Sequence, residues 1–191
     1  EGTAYGGREG YRLRYAAGGW DSRGAESRGG GHFSPSTMRG THDGGVTSIL
    51  PLTLFTKTQG RVVVTGGYDD HLRVFRIHDL HETYGMKKVE LVREENMGGG
   101  VWRLDLVKIQ EDTESTKLRI LASCMHAGAR LVDLEFKQDN GWTCKVLARF
   151  EEHKSMNYGS DFMRDNEAGG SLRCVSTSFY DKLLCLWEYE P

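Results

Sequence analysis

The 191-residue sequence lacks any apolar run close to the ~18 residues that a membrane-spanning helix needs, so we expect no membrane partner. It begins at Glu1, and no charged segment followed by an apolar one comes after it, so we expect no secretory leader. The formal net charge is only −2, which argues against direct nucleic-acid binding as the main function. These absences favour a globular protein that acts in the cytoplasm.

Motifs for metals, nucleotides and common hydrolases are also missing. The four cysteines include no CxxC pair, so we expect reduced thiols and no metal site. No P-loop or dinucleotide fingerprint occurs, and we expect no cofactor. GxSxG and HExxH are absent, so an enzyme built on this chain needs another arrangement of catalytic groups.

Proline is scarce at 3 residues, whereas glycine reaches 25 and is unevenly distributed. Residues 1–40 hold 11 Gly, six Arg and no Lys, which predicts a flexible segment that cannot fold by itself. An RNA-binding Arg-Gly tail is the alternative, although such tails usually carry more Arg-Gly units. The predicted folded region is 41–191.

Strand-like patterns follow one another from residue 41 onward. Residues 61–65 are rich in β-branched side chains and end at Gly66, and 101–107 and 120–123 form further apolar or alternating runs. Only residues 78–88 fit a short helical turn. The sequence therefore predicts an all-β fold.

Three segments of the chain are similar to one another, each with the pattern strand, tight turn, strand. They are 65–75, 122–132 and 177–187, and they end at Phe75, Val132 and Trp187. Trp20 stands one such interval before Phe75 and is followed by Asp21. Repeats of this form are typical of WD40-type β-propellers, whose blades are four-stranded sheets. We expect an incomplete propeller of about three blades, with the end of a preceding blade near Trp20.

In a WD blade, a histidine ahead of the first strand packs near an aspartate in the turn between the second and third strands, because a buried carboxylate needs a partner. His42 and Asp69 fit these positions in the first blade, and His153 and Asp181 fit them in the last. We interpret these residues as structural.

The middle repeat lacks both members of this pair. Its leading loop, 96–100, contains no histidine, and His126 stands where the other repeats carry aspartate. An imidazole without a structural partner is suited to general-base catalysis near neutral pH. A solvated or hydrogen-bonded turn histidine is the alternative interpretation, and the sequence leaves both open.

Further polar and aromatic groups are predicted to gather at the same end of the blades. They are Trp102, Arg103, Tyr158 and Asp161 near the channel mouth, with Cys124, His126, Tyr180 and Asp181 at the turns. Aromatic ring faces at such a place could hold a cation. Core packing is the alternative for Trp102 and Tyr158.

Several phrases of the chain are shared with one family. They are His42-Asp-Gly-Gly-Val46, Thr65-Gly-Gly-Tyr-Asp-Asp-His71, Gly99-Gly-Val-Trp-Arg103, Ala122-Ser-Cys-Met-His-Ala-Gly128, Tyr158-Gly-Ser-Asp161 and Ser176-Thr-Ser-Phe-Tyr-Asp181. In this order, over residues ~41–190, the chain resembles the C-terminal half of the WD-repeat diphthine methylesterase family, also labelled diphthine methyltransferase. The resemblance implies a cytosolic esterase in diphthamide biosynthesis. Its protein substrate is eukaryotic translation elongation factor 2, where the methyl ester of methylated diphthine is hydrolysed.

For that implied reaction we hypothesise that His126 activates water, with Cys124 as a less favoured covalent nucleophile. Asp161 or Asp181 would orient the imidazole. The predicted substrate contacts are Trp102, Tyr158 and Tyr180 to the trimethylammonium group and Arg103 to the oxyanion or to an acidic patch of the factor. The competing hypothesis is a non-catalytic adaptor that binds a protein partner through the propeller face, since a fold does not fix a function.

Overall fold

The computed structural model describes residues 41–52, 60–80, 87–164 and 171–191. The Gly/Arg-rich segment 1–40, with Trp20, lies outside this part. The described residues form strands and contain no helix. The strands are β1 (Val46–Leu52), β2 (Arg61–Gly67), β3 (His71–Leu80), β4 (Lys87–Asn96), β5 (Val101–Glu111), β6 (Ser115–Cys124), β7 (Gly128–Lys137), β8 (Gly141–Phe150), β9 (Asn157–Arg164), β10 (Leu172–Ser178) and β11 (Leu184–Tyr189).

These strands form three antiparallel sheets, each built from strands that follow one another in the sequence. The first sheet has the order β1-β2-β3-β4, the second β5-β6-β7-β8, and the third β9-β10-β11. Within each sheet, a strand pairs with the strand before it in the sequence, as expected for a meander connected by turns. The prediction of an all-β, incomplete propeller is therefore confirmed.

The short helical turn predicted for 78–88 is wrong where the structure describes it. Residues 78–80 continue β3, and Lys87 and Lys88 begin β4. Backbone pairing of Ile77 with Val89 extends the hairpin into this region, and the His78 imidazole lies 3.1 Å from a Glu90 carboxylate oxygen. Cross-strand pairing satisfies more backbone groups here than one isolated helical turn would.

The two central strands of the middle sheet, β6 and β7, are largely buried and contribute to two hydrophobic cores. One core lies against the first sheet and includes Val64, Val74 and Ile120. A second core lies against the third sheet and includes Leu131 and Cys174. The first seven residues of β7 are all buried, because alternate side chains enter opposite cores.

The repeat positions superimpose in the structure with one correction. Phe75, Val132 and Trp187 lie opposite Val63, Ile120 and Cys174, respectively. From this register the residue equivalent to Thr65 is Ser176, not Thr177 as the sequence similarity suggests. The cause is one extra residue between the equivalent positions of the third sheet: Trp187 stands eleven residues after Ser176, whereas Phe75 stands ten residues after Thr65.

Candidate functional site at the turn face

Several of the candidate residues, among them His126, Tyr180 and Asp181, lie at one end of the three sheets, which we call the turn face. Here β1, β5 and β9 begin, and β2, β6 and β10 end. Backbone hydrogen bonds connect the loops of this end: Met97 N donates to Asp70 O at 2.7 Å, Met125 N to Gly100 O at 2.8 Å, and Asn157 N to Met125 O at 2.8 Å. The turns of neighbouring sheets are therefore held side by side.

In the first sheet, the turn carboxylate is part of a buried network. Asp69 Oδ1 lies 3.0 Å from His42 Nδ1, and Asp69 Oδ2 lies 2.6 Å from an Arg73 guanidinium nitrogen. The other imidazole nitrogen of His42 lies 2.8 Å from Thr65 Oγ1. Burial opposes the charge of Asp69, but hydrogen bonds from His42, Arg73 and the Asp43 N–H outweigh it and hold the pKa below its ordinary value. The whole network fixes the turn.

In the third sheet, the histidine and aspartate have different partners. His153 Nε2 lies 2.8 Å from Ser176 Oγ, which also accepts a hydrogen bond from the Trp187 indole at 3.3 Å. Burial lowers the pKa of His153, and the charge of Asp181 opposes this shift.

The Asp181 carboxylate is held instead by the loop that precedes β9. The Ser155 hydroxyl donates to it, and the Lys154 N–H donates at 3.0 Å. Hydrogen bonds from Ser155 and Ser178 lower the pKa of Asp181 to about 2. The carboxylate is thus ionised and engaged in its own turn.

The second sheet places His126 at the corresponding turn position, and this imidazole is exposed. Within the described residues it has no hydrogen bond or ion pair. A Cβ on Gly99 would lie 3.0 Å from the His126 N and 2.9 Å from the Ala127 N, so a glycine lets the leading loop pack directly on this turn. Ala122 occupies the position of Thr65 and Ser176 and has no hydroxyl to offer.

The arginine of the first-sheet network has an equivalent in the second sheet. Arg130 lies opposite Ala122, as Arg73 lies opposite Thr65, and both arginine side chains are buried. With no turn aspartate available, Arg130 binds the Glu151 carboxylate at 2.6 Å. The arginine position is therefore retained, while its usual partner is replaced by an imidazole that points to solvent.

An aromatic row crosses the turn face from the first sheet to the third. It consists of Tyr68, Trp102, Tyr158, Phe179 and Tyr180, with successive ring centroids 5.7, 5.0, 6.0 and 5.0 Å apart. The rings meet edge to face, so several π faces remain open. Partial desolvation and the neighbouring Tyr68 and Tyr180 raise the pKa of Tyr158, which keeps its phenol neutral.

Two members of this row, Tyr68 and Phe179, were not singled out in the sequence. Tyr68 directly precedes Asp69, as Tyr180 precedes Asp181, so the repeat itself contained the information for Tyr68. Phe179 reaches the row through the longer turn of the third sheet, which the sequence similarity did not reveal.

Arg103 and Asp161 lie on the first strands of their sheets, away from the turns. Arg103 Nε lies 2.8 Å from Asp105 Oδ2, and a cleft of about 210 Å³ between β5 and the third sheet is lined by Arg103 and Asp161. Burial raises the pKa of Asp105; Arg103 opposes this shift, and the charge of Asp161 adds to it. Neither Asp161 nor Asp181 has a hydrogen bond or ion pair with His126.

Cys124 lies in the core between the first two sheets and is fully buried. Burial raises the pKa of its thiol to about 12. A thiolate is therefore disfavoured at this position, and its surroundings are those of a structural cysteine.

In the part of the chain that the structure describes, no three His, Cys, Asp or Glu side chains are grouped so that they could hold a metal ion. No helix there is long and apolar enough to cross a membrane.

Comparison with known proteins bears on the resemblance. No protein-family model matches the chain. A protein of Schizosaccharomyces pombe named diphthine methyltransferase is 32% identical over 147 residues, which cover 77% of this chain and 38% of that protein. The diphthine methyltransferase homolog of Dictyostelium discoideum is 27% identical over 149 residues, covering 76% of this chain and 35% of that protein.

A mouse protein named diphthine methyltransferase is 25% identical over 124 residues, 65% of this chain and 22% of that protein. The chain therefore spans between 22% and 38% of the length of the curated relatives it matches. The matches confirm the resemblance found in the sequence: this chain is a homologue of the proteins named diphthine methyltransferase.

Proposed function

We propose that this chain contributes to a diphthine methylesterase, which hydrolyses the methyl ester of methylated diphthine on eukaryotic translation elongation factor 2. The names of its relatives support a role in diphthamide biosynthesis. Because the chain spans less than two fifths of those relatives, the activity of the whole protein is part of the proposal. So is a cytoplasmic location, where the elongation factor acts. The observation that carries the proposal is an unpaired, exposed His126 on the same face as the aromatic row.

The aromatic row supplies a binding surface for the substrate's trimethylammonium group. Trp102 and Tyr158 are the closest ring pair between two sheets, with centroids 5.0 Å apart, and Tyr180 lies further along the row. A quaternary ammonium cannot donate hydrogen bonds, so ring faces recognise it better than polar groups do. Such a contact contributes about 1–2 kcal/mol when it is desolvated.

His126 is the proposed general base. In its neutral form it removes a proton from a water molecule as the water oxygen attacks the ester carbonyl carbon, which gives a tetrahedral oxyanion. The imidazolium then gives this proton to the departing methoxide, so that methanol leaves, and the remaining carboxylic acid loses its own proton to solvent and becomes the carboxylate. Arg103 is the proposed cationic partner of the oxyanion or of acidic groups on the factor.

Asp161, Asp181 and Cys124 contribute less to the proposed mechanism than His126 does. Asp181 is committed to Ser155 and Lys154, and Asp161 lies beside Arg103. Their effect on His126 would be a long-range electrostatic one, which favours the imidazolium formed during the reaction. The buried Cys124 thiol gives no support to covalent catalysis, so we favour direct attack by water.

A non-catalytic adaptor is the second candidate function. The exposure of Phe179 and Tyr180 on the turn face favours it, because exposed aromatic side chains are common in protein interfaces. An adaptor would bind the modified factor without releasing methanol.

The decisive experiment measures methanol release from elongation factor 2 that carries methylated diphthine, with the purified full-length protein. We expect turnover by the native protein and a loss of about 10²–10⁴-fold in kcat for His126→Ala. His78→Ala serves as a matched control, because His78 lies on β3 and pairs with Glu90 away from the turn face. Wild-type turnover in a folded His126→Ala protein would remove this residue from the mechanism, and absence of methanol from the native protein would favour the adaptor.

A further inference from the structure

Three polar side chains are buried together between the second and third sheets. The Ser123 hydroxyl donates a hydrogen bond to Ser160 Oγ at 3.0 Å, and the Ser160 hydroxyl donates to Asn157 Oδ1 at 3.3 Å. Ser123 and Asn157 are fully buried, and Ser160 is nearly so. We call this chain of hydrogen bonds, which joins β6 to β9, the Ser-Ser-Asn network.

The contact between the first and second sheets has no such network at the equivalent positions. The strand registers assign an equivalent without a polar side chain to each member: Val101 for Asn157, Leu104 for Ser160 and Gly66 for Ser123. Val101 and Leu104 belong to a hydrophobic core, and a Cβ on Gly66 would lie 2.5 Å from Val101 Cγ1. Apolar contacts therefore suffice to pack two sheets at this position.

The polar residues between the second and third sheets lower stability in one respect. Asn157 Nδ2 is buried and has no hydrogen-bond partner among the described residues. Packing alone would therefore favour an apolar side chain here. Hydrogen bonds have a defined length and direction, however, so a buried polar network fixes the relative position of two strands more closely than apolar contacts do.

The network lies between the two groups that the proposed mechanism uses. Asn157 N donates to Met125 O at 2.8 Å, and Met125 directly precedes His126. On β9, Asn157 directly precedes Tyr158, whose ring centroid lies 5.0 Å from that of Trp102. Asn157 is thus hydrogen-bonded to the turn of the base and adjacent in the chain to the aromatic row.

We infer that Asn157 is a positioning residue, which acts together with Ser160 and Ser123 to set the distance between the His126 imidazole and the ammonium group bound at the aromatic row. The inference rests on the proposed function, because it takes His126 as the base and the row as the ammonium site. Catalysis on a bound substrate is sensitive to such distances, and a displacement of about 1 Å can cost about 10²-fold in rate.

The test is Asn157→Val in the full-length protein, which copies the residue found between the first and second sheets. With elongation factor 2 that carries methylated diphthine, we expect kcat for methanol release to fall about tenfold and KM to change less than about twofold. The melting temperature should stay equal or rise, because an unpaired buried donor is removed. A residue that only stabilised the fold would lower the melting temperature when replaced.

Ser176→Ala is the matched control. Ser176 is also a fully buried serine of the third sheet, but its hydroxyl binds His153 and the Trp187 indole. Its replacement should lower the melting temperature and leave kcat within about twofold of the native value. Ser123→Ala removes a single hydroxyl of the network and serves if Asn157→Val does not fold; we expect it to lower kcat about threefold.

Amide hydrogen exchange separates this inference from the proposed function. We expect the amide protons of residues 125 and 157 to exchange about tenfold faster in Asn157→Val than in the native protein, while those of β2 and β3 keep their native rates. If the exchange responds in this way but the native protein releases no methanol, the esterase proposal fails and the network still fixes the turn against the aromatic row.

Three results would overturn the positioning role. The first is a native kcat in both Asn157→Val and Ser123→Ala. The second is native exchange rates at residues 125 and 157 in Asn157→Val, whether or not methanol is released. The third is a fall in the melting temperature of Asn157→Val as large as that of Ser176→Ala, which would make Asn157 a packing residue.

Discussion

The first and second sheets differ in the surroundings of the turn between their second and third strands. In the first sheet, Asp69 is buried and held by His42 and Arg73. In the second sheet, His126 is exposed, while the equivalent arginine, Arg130, pairs with Glu151. The two turns have the same relation to their strands, so the repeat keeps its shape with either residue. The comparison teaches that the turn residue can be part of a buried network in one sheet and exposed to solvent in the next.

The largest effect on stability is expected from Asp69→Ala. The change leaves the buried Arg73 and His42 without their common carboxylate, and breaking a buried ion pair in this way costs about 3–5 kcal/mol. Urea denaturation of the variant and the native protein measures the difference. The matched control is Asp139→Ala in the exposed β7–β8 turn, which should stay within about 0.5 kcal/mol of the native protein. Equal stability of the two variants would show that the first-sheet network does not hold the turn.

A smaller effect on stability is expected when the turn residue of the second sheet, His126, is replaced by the aspartate found in the turn of the first sheet. His126→Asp places a carboxylate four residues before Arg130, as Asp69 stands four residues before Arg73. We expect the free energy of unfolding to rise by up to about 1 kcal/mol, because the pair is partly exposed. His126→Asn, which adds no charge, should show no such gain under the same denaturation conditions. A loss of stability in His126→Asp alone would mean that Arg130 does not reach the new carboxylate.

The smallest expected effect is on the pH dependence of the free energy of unfolding. It distinguishes His153 of the third sheet from Asp69 of the first. Burial lowers the pKa of His153 below its ordinary value of 6.5. The unfolded chain therefore binds a proton at this residue at higher pH than the folded chain does. The stability contributed by neutral His153 is present above pH 6.5 and is lost as the pH falls toward the lower folded value.

Asp69 and Asp181 have lowered pKa values, so their contribution begins to decline only below the ordinary value of 3.8. Urea unfolding between pH 4.5 and 7.5 should therefore show a decline on acidification that His153→Gln reduces. An identical pH profile for His153→Gln and the native protein would contradict this assignment.

The sequence predicted the sheets well because strand formation depends on local patterns. The run 61–65 and the closing residues Phe75 and Trp187 predicted strands, and these residues lie in β2, β3 and β11. The prediction failed where the third sheet has one additional residue before its closing tryptophan: Thr177 was equated with Thr65, although the pairing of β10 with β11 makes Ser176 the equivalent residue. The helical turn predicted within 78–88 failed because pairing of β3 with the neighbouring strand β4 outweighed local preference.

For the candidate site, the sequence pattern predicted that four residues lie at one end of the blades: His126, Trp102, Tyr158 and Tyr180. It contained no information on the burial of Cys124, which depends on how two sheets pack. It also did not show that Asp161 lines a cleft with Arg103 and makes no hydrogen bond or ion pair with His126, since that depends on how far each residue lies along its strand.

The sequence by itself determined the repeat, the antiparallel sheets and the absence of aspartate from the middle turn, because these follow from side-chain pattern over short distances. Only the tertiary structure decided which side chains meet across sheets. The aromatic row joins residues up to 112 positions apart, from Tyr68 to Tyr180, and forms because the turns of three sheets are held side by side. Packing between sheets also decides which groups are desolvated, and therefore leaves His126 in solvent while it buries Asp69 and Cys124.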